Sequence, residues 1–435
     1  MTHHNAVKFL KNAPKSTGQK YNFERIKAIC AQLGNPHKLI NYVRLAGSNG
    51  KTVCGEMLSC ALKASGYTVG YLSMPLRDDA RQNVRIGSEL ISIEAFTELC
   101  SEVVAAASAV RDNASAKIAE ADVKDISDDS LVELKDLTLT QNEILLSIAL
   151  LAFKKEKCDV CIIESEHNGE DPSGFLPPAS SVMICGTIPS GDRKEIARIR
   201  SYIGRGVREI VSVPQNAEAF KIISETCFDA GCRLTIPQKT ELSVEKSTLG
   251  GTTFLYKGTR YNIGLCGKFQ ISNAIAVIEA LHMLERAGLT INYHAVCAAF
   301  AKLRINCKFE VLSMLPFIIA DSTHSPVAIE TIADSLLEFK SITGNKIFLC
   351  LPYGKIADDF SSALTQRGYE IIATVLYSEE SVEAELPDNI FICRTHKATA
   401  KKALDLIGRD SLLFISGTHN FSGKIRYELL AKLGF

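Results

Sequence analysis

The residues best placed to do chemistry are Lys51 and Thr52, which close the run Gly47-Ser48-Asn49-Gly50-Lys51-Thr52. Its two glycines let the backbone turn tightly and approach an anion with no Cβ in the way. Main-chain N–H groups of the run, and of a helix that follows it, would point at a phosphate. The Lys51 ammonium would meet the outer phosphates of ATP, and the Thr52 hydroxyl would serve Mg²⁺. Leu45 stands where a full Walker A pattern has its first glycine, so context must carry the assignment. Mg²⁺ also needs oxygens from elsewhere. Glu164 ends the apolar run 160–163, which puts it at the carboxyl edge where parallel sheets hold their ligands.

The elements needed to position these groups are legible as a strand–helix alternation. Phe23, Ile26, Cys30 and Leu33 have helical spacing, stopped by Gly34-Asn35-Pro36. Residues 42–46 read as a strand entering the glycine-rich turn. Cys54, Leu58, Ala61 and Leu62 read as the helix leaving it, and residues 68–72 as a second strand. This βαβ unit implies a parallel sheet flanked by helices. The acidic stretch 111–136 reads as a solvated excursion, 141–154 as an apolar helix, and 158–164 and 181–187 as strands. Residues 249–266 look like hairpin material, and 270–287 like a long helix.

After about residue 300 the alternation restarts, with strands at 317–321, 346–351, 370–376 and 411–416. Helices at 326–339, 357–367, 397–407 and 422–433 separate them. The fold class expected is α/β: a mostly parallel sheet domain with the phosphate loop, residues 1–298, and a smaller Rossmann-like α/β domain, residues 299–435.

Lysine plus arginine and aspartate plus glutamate number 49 each, so nothing in the charge points to nucleic acid or a membrane surface. No apolar run reaches the roughly 18–20 residues of a membrane span, and the polar N-terminus is unlike a signal peptide. The 14 cysteines lack framework spacing, which suits reduced thiols in a cytoplasmic protein. Cys158 and Cys161 read as part of a buried strand rather than a redox or metal motif.

Taken together, the motifs resemble the folylpolyglutamate synthase/dihydrofolate synthase family of the Mur ligases. Besides the phosphate loop, Ser73-Met74-Pro75-Leu76 resembles the family's Ser-Pro-His-Leu. Gly267-Lys268-Phe269-Gln270-Ile271-Ser272-Asn273-Ala274 resembles Gly-x-His-Gln-x-x-Asn-Ala. Lys308-Phe309-Glu310 resembles Arg-Phe-Glu, and Asp321-Ser322-Thr323-His324-Ser325-Pro326 resembles Asp-Gly-Ala-His-Asn-Pro. The matches are colinear over roughly residues 20–430. The resemblance implies a monomeric ATP-dependent ligase of one-carbon metabolism that joins a folate-like carboxylate to glutamate through an acyl phosphate. It implies Ser73, Glu164 and Thr52 at Mg²⁺, Gln270, Asn273, Lys308 and Asp321 at the nucleotide, and catalytic roles for Lys51, Glu164 and His324.

The chain departs from the pattern in places. The segment whose histidine binds a second Mg²⁺ is missing after residue 187, with His167 the only replacement near by. The lysine that the family carbamylates aligns with Arg200, a group that stays protonated and could act as a fixed cation. Two other readings stay open: a catalytically silent ATP-binding paralogue, and a Mur-type ligase for another acid.

Overall fold

A computed structural model describes the chain apart from residues 16–22, 48, 121–133, 166–170, 177–180, 185, 189, 205, 381–385, 409–410 and 435, and the side chains of 120 and 182–184. It folds as two compact units, Met1–Pro237 with Ala276–Val296, and Gln238–Ile275 with Cys297–Phe435.

The first unit is built on an eight-stranded sheet. Its order is Glu89–Leu90, Val84–Ile86, Val69–Leu72, Val160–Glu164, Tyr42–Ala46, Ser181–Ile184, Glu209–Ser212 and Arg233–Thr235. The first two strands pair antiparallel and the other six run parallel. Chain order reverses beside Tyr42–Ala46: the next strand lies to one side, and the three from Ser181 onward lie to the other. In an open α/β sheet such a switch point is where ligands sit. Glu164 and the glycine-rich turn both lie there, at the carboxyl ends of adjacent strands.

The helix Gln141–Lys155 backs this sheet with 13 buried residues. Thr140 and Glu143 start it with a reciprocal capping box, which satisfies amides that have no partner inside the helix. Arg25 reaches the same Glu143 carboxylate at 3.1 Å.

Two helices add to the reading of the sequence. The helix Ile93–Glu120 takes in the first part of the stretch read as an excursion; the acidic part, 121–133, lies outside the described residues. The helix Arg193–Ile203 begins soon after the strand Ser181–Ile184.

The second unit holds a three-stranded antiparallel sheet, Leu242–Thr248, Gly251–Tyr256 and Thr259–Ile263. It also holds a six-stranded sheet ordered Glu310–Met314, Phe317–Ala320, Leu412–Ile415, Lys346–Pro352, Glu370–Tyr377 and Ile390–Cys393. All but the first strand of the larger sheet run parallel. Residues 238–275 belong to this unit, whereas the sequence division placed them before residue 298. The physical reason is visible in the core: Leu249 and Cys266 are buried with Phe309, Ile319, Phe339 and Leu349. The boundary falls inside the helix Phe269–Arg286, whose unbroken periodicity hides it.

Candidate active site

The glycine-rich turn joins the strand Tyr42–Ala46 to the helix Lys51–Ala64. Gly47 and Gly50 have φ of 106° and 81°, in the left-handed region open to glycine at little cost. Lys51, 9% exposed, donates from Nζ to the Gly47 carbonyl at 2.6 Å. Its ammonium therefore already leans over the turn that its helix opens. Ser48 lies outside the described residues, while Asn49, Gly50 and Thr52 are half-buried.

Two contacts that the sequence did not reveal fix the turn from behind. Gly47 N–H donates to Glu195 Oε1 at 2.9 Å, and Glu195 is 1% exposed and ion-paired to Arg198 at 2.8 Å. Gly186, at φ +70°, packs so closely that a Cβ there would stand 2.4 Å from the Asn49 carbonyl oxygen. Arg200 is exposed, and Glu195, Ile196, Ile199, Tyr202 and Ile203 form the inward face of that helix. Glu195 is the residue of this helix that touches the loop.

Glu164 is also 1% exposed. Its Oε2 accepts from Met74 N–H at 3.1 Å, and its Oε1 accepts from the Tyr71 phenol. Burial pushes the Glu164 carboxyl above the usual range. The Tyr71 hydrogen bond, the Lys51 charge, the Met74 N–H and Arg77 oppose that rise. Burial and the Glu164 charge push the Tyr71 phenol well up, so the phenol keeps its proton and donates. Ser73, 1% exposed, sits in the same turn, its N–H on the Asn83 carbonyl. Buried Asn83 holds that turn from Nδ2, donating to the carbonyls of Ser73 at 2.7 Å and Pro75 at 2.8 Å.

One further buried network anchors the strand that feeds the loop. Arg44, 3% exposed, donates to Ser173 Oγ at 2.5 Å, to the Ser173 carbonyl at 2.8 Å and to Tyr42 Oη at 3.1 Å. Its guanidinium lies 4.1 Å from the centre of the Tyr202 ring, and Asp171 is 3.8 Å away. Tyr202 donates to the same Asp171.

In the second unit the expected residues fall into two clusters. Asn273 Nδ2 donates to Gln270 Oε1 at 2.9 Å, and Gln270 is fully buried. Asp321, 2% exposed, accepts from Phe309 N–H at 2.7 Å, beside half-buried Lys308. Cys307 and Phe309, flanking Lys308, take φ of 54° and 53°. His324 is exposed and its Nδ1 lies 3.3 Å from the Ser322 carbonyl. Gln270 Nε2 and Asp321 Oδ1 are buried with no hydrogen-bond partner among the described residues.

No group of three or more His, Cys, Asp or Glu among the described residues could hold a metal ion by itself. Cys158 and Cys161 are free thiols. His167, the possible substitute for the missing histidine, lies outside the described residues. No helix among them is long and apolar enough to cross a membrane.

A glycine-rich turn at the switch point of a parallel sheet, followed in the chain by a second α/β unit, is the fold class expected from the sequence. The chain matches no known protein-family model. It is 26% identical over 357 residues to a probable bifunctional folylpolyglutamate synthase/dihydropteroate synthase of Haloferax volcanii, covering 78% of this chain and 39% of that one. It is 23% identical to the dihydrofolate synthase/folylpolyglutamate synthase of Bacillus subtilis, covering 73% of each. Its fold superposes on Mycobacterium tuberculosis folylpolyglutamate synthase complexed with ADP and AMPPCP at a TM-score of 0.78 and 17% identity, over 98% of this chain and 99% of that one. The chain is thus similar, at 20–26% identity, to curated folylpolyglutamate and dihydrofolate synthases. It spans about two-fifths of the length of the two bifunctional haloarchaeal relatives it matches.

Proposed function

We propose that the protein is an ATP-dependent ligase that forms an amide between a folate-like carboxylic acid and the amine of glutamate. The observation that carries this reading is the loop 47–52, whose lysine stands over the turn at the sheet's switch point, beside a strand that ends in buried Glu164. The relatives' names and the nucleotide complexes of the mycobacterial enzyme support it.

In this reading the main-chain amides of the loop and the Lys51 ammonium bind the outer phosphates and draw off charge as the γ-phosphoryl group moves. The acceptor carboxylate attacks the γ-phosphorus and ADP leaves, giving an acyl phosphate. The glutamate amine then attacks the acyl carbon, inorganic phosphate leaves, and the nitrogen loses a proton. Gln270, Asn273, Lys308, Asp321 and His324 are the second unit's contribution to nucleotide and transferred group, by resemblance.

The donor set fits Mg²⁺. Each Glu164 oxygen accepts one hydrogen bond and keeps lone-pair capacity for a cation, and Thr52 and Ser73 supply hydroxyls. Mg²⁺ commonly takes one or two carboxylates plus substrate phosphates and water. Held by Glu164, Thr52 and Ser73, it would supply charge neutralisation for the phosphates.

The test is phosphate release by the purified chain with Mg-ATP, glutamate and a panel of pteridine-bearing and other carboxylic acids. Release that needs both an acid and glutamate is expected, and the acid that supports it names the substrate. Nucleotide binding without turnover for every acid would reject the ligase in favour of a silent ATP-binding paralogue.

A further inference from the structure

Tyr71 and Gly55 are not among the residues expected at the site, yet they meet beside Glu164. Tyr71 lies on the strand Val69–Leu72, one place from Val160–Glu164 in the sheet, and is 1% exposed. Its phenol donates to Glu164 Oε1 and lies 3.4 Å from the Thr52 carbonyl oxygen. One side chain thus spans from the first turn of the phosphate-loop helix to the carboxylate at the end of the neighbouring strand.

Gly55 is what admits it. The residue sits in the interior of the helix Lys51–Ala64, where glycine is a poor helix former. A Cβ at this position would stand 2.3 Å from the Tyr71 phenol oxygen, 2.7 Å from its Cζ and 2.9 Å from Leu45 Cδ1. A methyl group at 55 and a phenol at 71 exclude one another. The ring is held from its other side, because the Arg85 guanidinium lies 4.8 Å from the ring centre and is itself tied to Glu56 at 2.5 Å. With Met74 N–H on the second oxygen at 3.1 Å, both Glu164 oxygens are fixed by neutral donors.

We propose that Tyr71 is a positioning residue that fixes the Glu164 carboxylate beside the phosphate loop, and that Gly55 is kept small to let it do so. This rests on the reading of Glu164 as the carboxylate that serves the nucleotide's cation. Hydrogen-bonded neighbours of metal ligands orient them, and their loss typically lowers metal affinity by about 10–100-fold.

The experiment compares the full-length wild type with Tyr71→Phe, Gly55→Ala and the double variant. Mn²⁺ affinity in the presence of ADP is read by electron paramagnetic resonance, and ADP affinity without metal by calorimetry. Thermal midpoints are recorded alongside. Tyr71→Phe is expected to weaken Mn²⁺ binding about tenfold and to leave metal-free ADP binding within about twofold. Gly55→Ala should show the same metal defect with a lower melting point. The double variant should lose less melting temperature than the two single losses added together and bind Mn²⁺ no worse than Tyr71→Phe, because the 2.3 Å contact is gone while those to Cζ and Leu45 Cδ1 remain.

Unchanged Mn²⁺ affinity in Tyr71→Phe, with tight Mn-ADP binding by the wild type, overturns this proposal alone. Strictly additive effects in the double variant overturn the Gly55 half of it. A wild type that binds no Mn-ADP overturns the ligase reading and the proposal together.

Discussion

Replacing Glu195 tests whether the phosphate loop is held from behind. Gly47 is buried, and its N–H has the Glu195 carboxylate as acceptor at 2.9 Å. A hydrogen bond to a charged group contributes about 1.5–3 kcal/mol, and an orphaned buried donor costs about 1–3 kcal/mol. The Arg198 partner adds little, because its side chain is 17% exposed and can turn to water. Glu195→Ala should therefore cost about 2 kcal/mol, concentrated on the turn. If that cost falls on the arrangement that binds nucleotide, affinity drops roughly 10–30-fold, at about 1.4 kcal/mol per tenfold. Glu195→Gln keeps an oxygen acceptor and should lose about half as much in free energy. Arg200→Ala, at an exposed position, should stay within about 0.5 kcal/mol of wild type. Titration with a fluorescent ADP analogue, with thermal melting in parallel, ranks the three. An Arg200→Ala defect larger than that of Glu195→Ala would refute the reasoning and return the role to Arg200.

Lys51→Ala removes the ammonium over the turn and should weaken ADP binding at least tenfold, as a charge-assisted contact does; a thermal shift with Mg-ADP equal to wild type would contradict it. Gly186→Ala places a methyl 2.4 Å from the Asn49 carbonyl oxygen at a φ of +70°, so the loop must move. Nucleotide affinity should fall by more than about fivefold, corresponding to roughly 1 kcal/mol of backbone strain. Arg25→Met removes the Arg25 guanidinium from the buried Glu143 carboxylate, itself 0% exposed. Taking one partner out of a buried ion pair costs about 3 kcal/mol or more, readable as a lower urea midpoint for the first unit with ADP binding little changed.

What was legible in the sequence was what is local. The loop announces itself because its glycines, lysine and threonine are neighbours, and the strand before it and the helix after it have clear periods. Glu164 was placed because a strand's end can be read from its own residues. The contacts that hold both groups join distant segments: Tyr71 and Glu164 are 93 residues apart, and Gly47 and Glu195 are 148 apart. Nothing in either segment alone shows that they meet. Helical phase is a second limit, since alignment by spacing does not carry it. Positions 195 and 200 differ by roughly 140° around a helix, and the buried face was the one bearing Glu195. The hairpin at 251–263 was visible within 249–266, the strand Leu242–Thr248 beside it was not, and a strand pattern does not say which core its apolar side enters.

Arg44 makes the glycine-rich turn hard to transplant. Its one side chain clasps the strand ahead of the turn, the backbone at Ser173 and the ring of Tyr202 on the helix that also bears Glu195. Lysine would be no substitute, having neither the flat fork nor the stacking surface. A designer who copies Gly47 through Thr52 into another sheet therefore inherits the sockets for phosphate without the bolts. Among natural relatives, drift at 44, 171, 173 or 202 should come as concerted change, because the four side chains are buried against one another.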